Sequence, residues 1–436
     1  MALTRRTFLS AAAVAALAAL AGCASRLEPI DTSSSAFGSG EASGTINFWC
    51  RADTLTANQA LVDAFHASQD RIHIELTPVP NGQYVTKLAT AIRGNRPPDL
   101  VDIDDIYSSL FAQRGVLADL TPLVEKLPYA DVLSPGHLSL AAKDGRSFGV
   151  PFLADNSLMW CNLELFDRAG LDVDEATGSF EGYLDAARAL GGLGDGTKAW
   201  WYPGNSSGFL GFVVQPHMWA DDADLIQGEI GSQTGFVVGN EPARKTLEFL
   251  HTLWNEDLVP TRCFSDDGAF GPLEFMEGTA GMAACSIGNL SNAEDGFLDR
   301  VESRMMVGPE GGRSFFDGGD NFVIPNGAQN AEAAWEYVLF CLDTAQQAEL
   351  PASGYTPIRS DVLTDDFRRR WPHSVTPLEQ IDAGYAPLSL SYNRIYNQSD
   401  GPWLEMFRRA VFDGEIDAAM QAAQSTYDQI LRQGDA

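Results

Sequence analysis

Apolar positions between residues 45 and 103 follow two different periods. Short apolar or alternating runs at 45–49, 72–76 and 99–103 predict three β-strands. The intervening segments 61–65 and 84–92 carry apolar residues at helical spacing and predict two helices. Strands joined by such helices form right-handed βαβ units and a parallel sheet. Ligands bind such sheets beyond the carboxyl ends of the strands, so the residues that follow these strands are the first candidates for a site.

The remainder of the chain supports an α/β fold class. Segments 247–254, 332–341 and 416–431 carry apolar residues at helical spacing and predict three further helices. The apolar run 209–215 is predicted to be a strand rather than a helix. A length of 436 residues allows two or three domains, each large enough to bury a substantial core.

The N-terminus has the features of an export signal. Arg5 and Arg6 precede a short apolar run, and the resulting segment 1–22 is predicted to be a cleavable signal peptide that resembles a twin-arginine signal. The four residues that end in Cys23 resemble a lipobox, which implies a lipid attached to Cys23 and anchoring to the cell membrane on its outer side. The alternative is an ordinary secretory peptide. Segment 23–44, rich in Ser, Ala and Gly, is predicted to be a flexible tether.

Composition narrows the possible partners. The formal net charge is −30, so the chain would repel nucleic acid, which we exclude as a partner. The six histidines are scattered without metal-ligand spacing, and neither a metal nor a cofactor is expected. The five cysteines after Cys23 are an odd number, so they cannot all pair within the chain. One bridge between Cys50 and Cys285 is conceivable, and buried free thiols are equally compatible.

Nine short phrases with characteristic residues follow one another along the chain after the tether. They are Pro98–Val101, Gly115–Pro122, Gly145–Pro151, Trp160–Phe166, Ala169–Asp172, Phe275–Met282, Gly318–Pro325, Glu332–Trp335 and Gly354–Pro357. Each phrase alone is weak, but together they extend over almost the whole chain after the tether. In this order they resemble motifs of the family 1 extracellular solute-binding proteins of ABC importers, a group that contains maltose- and glycerol-phosphate-binding proteins.

The resemblance implies a two-lobe periplasmic-binding-protein-like fold, with a hinge and a ligand cleft between the lobes. Lobe I is predicted to comprise 45–153 and 286–320, and lobe II 154–285 and 321–436. The chain would cross between lobes near 150–156, 283–289 and 318–324, where glycines and small polar residues suit hinge rotation. The implied function is capture of a small polar solute, with a mono- or oligosaccharide favoured, by a monomer that delivers it to a membrane permease.

A sugar site needs aromatic faces together with polar groups that pair each hydroxyl. Strand ends supply some candidates and the aromatic loop at 200–205 supplies others. The resemblance adds Asp155, at an acidic hinge position of the maltose-binding branch, and Tyr84, at a tyrosine of the glycerol-phosphate branch. Ser286, Asn289, Asp320 and Asn321 lie at the later crossings. The predicted ligand-binding residues are Arg51, Asp53, Tyr84, Asp104, Asp105, Asp155, Trp201, Asn205, Trp219, Ser286, Asn289, Asp320, Asn321, Tyr355 and Trp403.

Other functions stay open from the residues alone. Gly204–Gly208 matches G-x-S-x-G, which would make Ser206 the nucleophile of a secreted serine hydrolase, with His373 and Asp320 as partners. Pro203 and the strand predicted at 209–215 argue against this reading, because the motif requires a strand before the serine and a helix after it. A glycosidase, a surface adhesion lipoprotein and a glycerol-phosphate binder are further alternatives. The many acidic candidates favour a neutral ligand over a phosphate.

Overall fold

The computed structural model describes residues 27–434 and divides the chain into two compact units. Unit 1 contains the described residues up to Ala154 together with Gly319–Phe367, and unit 2 contains Asp155–Gly318 together with the residues from Arg368 onward. The signal peptide predicted at 1–22 and the predicted lipid-attachment residue Cys23 lie outside the described residues. Across residues 27–434, none of the helices has the length and apolarity needed to cross a bilayer.

The regular elements are numbered along the chain. The strands β1 to β14 are Gly44–Arg51, Ile72–Val79, Leu100–Asp104, Ala142–Lys143, Arg146–Ser147, Val150–Asn162, Lys198–Trp201, Ile226–Gln227, Thr234–Gly235, Ala280–Ser286, Val301–Arg304, Met306–Val307, Arg313–Val323 and Gly384–Tyr385. The helices α1 to α18 are Leu55–Ser68, Asn81–Arg93, Asp105–Gln113, Thr121–Val124, Pro135–Leu140, Leu163–Ala169, Val173–Ala176, Phe180–Gly191, Ser207–Val214, Pro216–Trp219, Glu241–Asn255, Leu273–Met276, Ala331–Cys341, Thr344–Gln347, Asp365–Arg370, Val375–Glu379, Pro402–Val411 and Ile416–Gly434.

Unit 1 is built on a four-stranded sheet in the order β2-β1-β3-β13. Strands β2 and β3 both run parallel to β1, and helices α1 and α2 form the crossovers between them. The end of β13 adds an antiparallel strand, with Asp320 opposite Asp104 and Val323 opposite Val101. These strands carry alternating buried apolar residues, which fixes their register because a one-residue slip would expose them. The predicted βαβ organisation is confirmed.

The core of unit 1 lies on both faces of this sheet. Phe48 of β1 packs edge-on against Phe322 of β13, at 5.8 Å between ring centroids, and Phe152 stacks on the same ring at 4.0 Å. Tyr337 of α13 closes the cluster against Phe48 at 5.7 Å. Burying an aromatic side chain of this kind contributes about 1.5–3 kcal/mol. Phe48 is more than 250 residues from Phe322 and Tyr337 in the sequence, so the cluster ties the two parts of unit 1 together.

The segment predicted to be a flexible tether is largely ordered against unit 1. Leu27 and Phe37 are buried, and Phe37 belongs to the hydrophobic core of the unit. The hydroxyl of Thr32 donates to the carbonyl of Asp119 at 2.5 Å, and the amide of Ala42 donates to the carboxylate of Glu336 at 2.9 Å. The tether prediction is therefore wrong for residues 27–44, because two apolar anchors bind a segment that is otherwise polar and small.

Unit 2 has its own mixed sheet around β6, β10 and β7. β10 runs antiparallel to β6, with Ser286 opposite Ser157, and parallel to β7, with Met282 opposite Trp200. β11 covers the other edge of β6, and β14 runs parallel to the first part of β13. Consequently one edge of the sheet holds the carboxyl ends of β7 and β10 together with the start of the part of β6 that belongs to this unit.

Helices α8 and α11 pack an aromatic core against this sheet. Tyr183 of α8 meets Trp200 of β7 edge-on at 4.9 Å, and Phe249 of α11 meets the same indole at 5.5 Å. The segment predicted to be a strand at 209–215 is instead mainly helix α9. Several faces of this helix are buried, so it carries apolar residues on nearly every side. It therefore lacks the polar stripe by which an amphipathic helix is identified in a sequence.

The division into units differs from the predicted one beyond residue 285. Residues 286–318 lie in unit 2, since β11 pairs with β6, and 319–367 lie in unit 1, since the end of β13 pairs with β3. The crossings fall at 154/155, at 318/319 and within α15, so the crossing predicted near 283–289 is wrong. Gly319 suits its position because it has a φ of +148°, and a Cβ there would lie 2.2 Å from the carbonyl oxygen of Leu153.

All five cysteines within residues 27–434 are free and buried. Cys50 and Cys285 lie in different units, so the conceivable bridge between them is not formed. Burial raises the pKa of the Cys50 thiol to about 12, which keeps it protonated and unreactive at neutral pH.

Candidate functional site

Arg51 organises the carboxyl ends of β1 and β3 in unit 1. Its Nη1 lies 3.0 Å from Oδ2 of Asp104, and its Nη2 lies 2.7 Å from Oδ1 of Asp320. Its Nε also donates to Oδ2 of Asp320 at 3.0 Å, so that carboxylate is held by two nitrogens of one guanidinium. The antiparallel pairing of Asp320 with Asp104 brings the two acids to the same strand end. Three predicted site residues therefore form one network.

The network concentrates negative charge around a single cation. Burial raises the pKa of Asp104 to about 6, the guanidinium of Arg51 opposes this, and repulsion from Asp320 adds to it. Burial also raises the pKa of Asp320 well above its usual range, against the effect of Arg51. Asp102 lies close behind and accepts hydrogen bonds from Thr54 at 2.5 Å and from the Asn58 amide at 2.6 Å. Such a site repels a further anion and suits hydroxyl groups.

Asp53 and Tyr355 lie together at the same end of the unit 1 sheet. The Tyr355 hydroxyl donates to the backbone carbonyl of Asp53 at 2.9 Å. The Asn81 amide, at the start of α2, donates to the Asp53 carboxylate. Asp53 is exposed and Tyr355 half-buried, so both have surface available to a ligand. Their arrangement agrees with an aromatic ring placed beside a hydroxyl-binding carboxylate.

Three predicted site residues of unit 1 are instead structural. The Tyr84 hydroxyl donates to the carbonyl of Asp102 at 2.6 Å, and its ring belongs to the hydrophobic core. The Asn321 amide donates to the Ser108 hydroxyl at 3.2 Å and to the carbonyl of His137 at 3.3 Å. The buried carboxylate of Asp105 lies 3.6 Å from Nε2 of His137. We therefore correct the assignment of Tyr84, Asp105 and Asn321, since fixed internal partners occupy these groups.

Polar residues also line the corresponding edge of unit 2. The Asn156 amide donates to the Asp317 carboxylate at 2.7 Å, directly beside Asp155 at the start of β6 in this unit. Ser286 ends β10, and its amide and hydroxyl each donate to Oδ1 of Asn289 at 3.1 Å. The register Ser157–Ser286 places both groups at one edge. Asp155, Ser286 and Asn289 thus lie at one edge of unit 2, and Ser286 and Asn289 form the capping box of a short 3₁₀ turn.

An aromatic cluster adjoins this edge. Trp219 of α10 lies 5.0 Å from Tyr385 and 6.3 Å from Phe316, both measured between ring centroids. Phe212 stacks on Phe316 at 4.2 Å. The Tyr385 hydroxyl donates to Oδ2 of Asp224 at 2.6 Å, while more than a third of the Tyr385 side chain is exposed. Burial raises the pKa of Asp224 to about 6, and the hydrogen bond from Tyr385 opposes that shift.

The two tryptophans predicted to be ligand plates in the other loops are core residues. The Trp201 indole N–H donates to Oδ2 of Asp266 at 3.0 Å, and its ring packs edge-on against Phe209. Trp403 is fully buried in α17, near Tyr396. Their assignment as plates is therefore wrong, because a sequence does not distinguish a tryptophan that fills a core from one that faces solvent. Asn205 is exposed beside this core, and its backbone N–H donates to the carbonyl of Asp266 at 2.8 Å.

The G-x-S-x-G motif has part of the geometry of a nucleophile elbow. Ser206 follows β7 by five residues and immediately precedes α9, so the helix argued against from sequence is present. The proposed partners do not complete a triad. His373 packs its ring against Trp160 at 5.4 Å, and Asp320 belongs to the Arg51 network of unit 1. Within residues 27–434, no hydrogen bond or ion pair joins His373 to Ser206.

Sequence reasoning missed three residues of the unit 2 edge. Tyr385 belongs to a two-residue strand, which is too short to give a periodic signal. Phe316 lies in a two-residue apolar stretch between Ser314 and Asp317, and Asp224 lies in a short acidic loop. The signal that could have found Tyr385 is its place in Ala383–Ala386, an apolar stretch between two polar loops.

Comparison with known proteins identifies the family. The family model of bacterial extracellular solute-binding proteins matches residues 60–376. The chain is 25% identical to the arabinooligosaccharide-binding protein of Bacillus subtilis over 310 residues, which cover 67% of each chain. It is 24% identical to the sn-glycerol-3-phosphate-binding periplasmic protein of Agrobacterium fabrum over 411 residues, covering 87% of this chain and 89% of the relative. The sugar-binding protein MalE of Xanthomonas citri superimposes with a TM-score of 0.77 at 20% identity, covering 89% of this chain and 98% of that chain.

The chain belongs to the bacterial extracellular solute-binding proteins, since the family model spans well over half of it. Its fold is the two-lobe α/β fold of the maltose-binding-protein type, to which MalE of Xanthomonas citri and the acarbose receptor GacH of Streptomyces glaucescens also belong. Its role is that of a substrate-binding protein acting outside the cytoplasm.

Proposed function

We propose that this solute-binding protein captures a neutral oligosaccharide and delivers it to the permease of an ABC importer. The sugar assignment rests on one observation, namely that the strand ends carry carboxylates in unit 1 and an aromatic ring with an amide in unit 2. In unit 1, the carboxylates of Asp104 and Asp320 already neutralise the charge of Arg51. Unit 2 supplies the exposed ring of Tyr385 together with the amide of Asn289. Carboxylates and amides suit sugar hydroxyls, and an aromatic face suits the C–H face of a sugar ring.

The same observation argues against a phosphate ligand. The sequence relatives include glycerol-phosphate-binding proteins, so that alternative needs a test. A phosphate group would require an arginine or lysine with donors to spare. Arg51 already holds two carboxylates.

The mechanism we propose is capture by closure, in which one ligand contacts residues of both units. A ligand shifts a conformational equilibrium only through its differential affinity for the two states. The chain crosses between units at 154/155 and 318/319, directly beside Asp155 and Asp320, so rotation at these points moves ligand-facing residues. The permease would then recognise the loaded form. Small-angle X-ray scattering should show compaction with ligand, and an unchanged radius of gyration at saturation contradicts closure.

We also propose that the mature protein is a monomer anchored through a lipid on Cys23. The motivating observation is the lipobox-like run that ends in Cys23, after a segment that resembles a twin-arginine signal. In cells, the protein should partition with the membrane fraction, and Cys23→Ala should release it. Recovery of both forms in the same soluble fraction would remove the anchor proposal without touching ligand binding.

A thermal-shift screen tests the ligand class directly, because a ligand of the folded state raises the unfolding midpoint by mass action. The panel should contain arabinotriose, maltotriose, arabinose, glucose and glycerol-3-phosphate. We expect a trisaccharide to stabilise the wild type and to lose most of its effect on Asp155→Asn. Asp70→Asn, an exposed acid in a turn of unit 1, is the matched control and should respond as the wild type does. Stabilisation by glycerol-3-phosphate alone would overturn the sugar assignment.

A further inference from the structure

Phe270 presents an unusually exposed aromatic ring. Its side chain is 70% exposed, more than any other large hydrophobic residue among residues 27–434. An exposed phenyl ring forgoes the stabilisation of about 25 cal/mol for each Å² that burial would give. Single exposed apolar residues are common, so exposure alone has no functional meaning. The local structure around Phe270 supplies the second observation.

The loop that carries Phe270 is fixed rather than free. Asp266 is buried, and its Oδ1 accepts the backbone N–H of Gly268 at 2.9 Å. Its Oδ2 accepts the indole N–H of Trp201 at 3.0 Å and lies 3.2 Å from Nη2 of Arg262. Its carbonyl accepts the backbone N–H of Asn205 at 2.8 Å. A buried carboxylate with these partners holds the loop in one conformation, so the ring of Phe270 is presented from a rigid support.

This loop lies across the ligand-facing edge of unit 2. A Cβ on Gly268 would lie 3.5 Å from the Ser206 hydroxyl, which follows β7. A Cβ on Gly271 would lie 3.0 Å from the carbonyl oxygen of Asn289, which follows β10. Both glycines also have positive φ, +78° and +63°, which brings the loop close to these turns. Phe270, between the two glycines, is therefore adjacent to the carboxyl ends of two parallel strands, where ligands of α/β sheets bind.

We propose that Phe270 is an aromatic platform for an outer sugar residue of the bound oligosaccharide, one that lies beyond the residue bound near Asp155. This inference rests on the proposed sugar-binding function and specifies its substrate length. The chemistry fits, because the loop that carries this exposed ring contacts the turns that carry Asn205 and Asn289, and Asp267 of the same loop is exposed. A ring face with hydrogen-bonding groups at its rim complements a sugar, whose C–H face is apolar and whose edge carries hydroxyls.

The spacing of the strands at this edge of unit 2 sets a minimum length for a ligand that reaches both Asp155 and Phe270. Asp155 lies at the start of β6 in unit 2, while the loop that carries Phe270 covers the ends of β10 and β7. Strands β6, β10 and β7 are consecutive neighbours, so two interstrand spacings, about 10 Å, separate the outer strands. A single pyranose or furanose ring is shorter than this distance. A ligand that reaches both positions must therefore contain more than one sugar residue.

Titration calorimetry on the wild type and three variants tests the proposal, with arabinotriose, maltotriose, arabinose and glucose as probes. Phe270→Ala should weaken trisaccharide binding by about tenfold or more and leave any monosaccharide binding within about twofold. Phe270→Trp should retain trisaccharide binding because it keeps an aromatic face. Val238→Ala removes another exposed apolar side chain of unit 2, 46% exposed, and should bind as the wild type does. All three variants should fold, because each substitution is at an exposed position.

The outcomes separate this inference from the proposed function. Trisaccharide binding by Phe270→Ala that equals the wild type overturns the platform and leaves the sugar-binding function standing. Equal weakening of monosaccharide and trisaccharide binding also overturns it, since Phe270 would then belong to the inner subsite. Binding of monosaccharides without trisaccharides overturns the platform together with the predicted length and leaves sugar binding standing. Absence of binding to any of the four sugars by the wild type overturns both the inference and the sugar assignment.

Discussion

The ligand-facing edges of the two units use different chemistry. In unit 1 the edge is charged, with Arg51 held between Asp104 and Asp320. In unit 2 it is aromatic and amide-rich, with Tyr385 exposed above Asp224 and Asn289 fixed by Ser286. A buried ion-pair network is rigid and selects against further anions, whereas an aromatic surface tolerates different sugars that share an apolar face. If the proposed function holds, unit 1 sets the charge class of the ligand and unit 2 sets its shape and length.

Removing Arg51 should have the largest effect, and it should act on stability. Arg51→Ala leaves Asp320 buried without its cation, so we expect a loss of about 3–5 kcal/mol in the free energy of unfolding. Arg146→Ala is the control, because Arg146 forms an exposed ion pair with Asp119 in the same unit and should cost less than about 1 kcal/mol. Urea denaturation measures both. Equal losses in the two variants would show that the Arg51 network is not structural.

Trp201→Phe tests the support beneath the aromatic edge. It removes the hydrogen bond to Asp266 but keeps an aromatic ring in the core, so we expect a loss of about 1–3 kcal/mol of stability. Trp371→Phe is the matched control, because the buried indole N–H of Trp371 has no hydrogen-bond partner among the described residues. Thermal unfolding compares the variants. If Trp201→Phe is as stable as Trp371→Phe, the Asp266 hydrogen bond does not hold the loop.

Tyr385→Ala should weaken sugar binding with little change in stability. The ring is partly exposed, and truncation of an anchoring aromatic residue costs about 1–3 kcal/mol of binding free energy. Tyr385→Phe keeps the ring and loses only the hydrogen bond to Asp224, so it should retain most of the affinity. Calorimetry with arabinotriose and maltotriose measures both variants. Equal losses in Tyr385→Phe and Tyr385→Ala would show that the hydroxyl, rather than the ring face, contacts the ligand.

Asp224→Asn should change the pH dependence of stability by the smallest amount. The folded-state pKa of Asp224 is about 6, above its ordinary value of 3.8, so the folded protein binds the proton more tightly than the unfolded chain does. The stability that this proton contributes is present below about pH 4 and is lost as the pH rises through 6. Relative to Asp224→Asn, the wild type should therefore lose up to about 1 kcal/mol between pH 4 and pH 7. If the free energy of unfolding changes with pH in the same way in the wild type and in Asp224→Asn, the raised pKa of Asp224 is contradicted.

The sequence predicted the first half of unit 1 well because local periodicity governs it. Strands β1 to β3 and helices α1 and α2 alternate apolar and polar residues within short segments, so their pattern is visible without tertiary information. The domain boundaries after residue 285 were wrong because they depend on the pairing of β13 with β3, between residues more than 200 positions apart. No local pattern encodes that contact.

The candidate site was predicted in part for the same reason. Arg51 and Asp104 end strands, and Asp155 lies in β6 where the chain enters unit 2, so topology alone places them at strand-end edges of the two units. Trp201 and Tyr84 were misassigned because an aromatic residue next to a strand end can point into the core as readily as outward. Tyr385 and Phe270 were missed because each lies on a short irregular segment whose position is set by contacts elsewhere in unit 2.

We propose that this protein binds a neutral oligosaccharide and releases it unaltered. Calorimetric titration of the wild type with arabinotriose and maltotriose, followed by chromatography of the sugar recovered from the complex, tests it most directly. We expect saturable binding of one trisaccharide per chain and recovery of the intact trisaccharide. Recovery of shorter sugars, or binding of glycerol-3-phosphate with no binding of either trisaccharide, would contradict the claim.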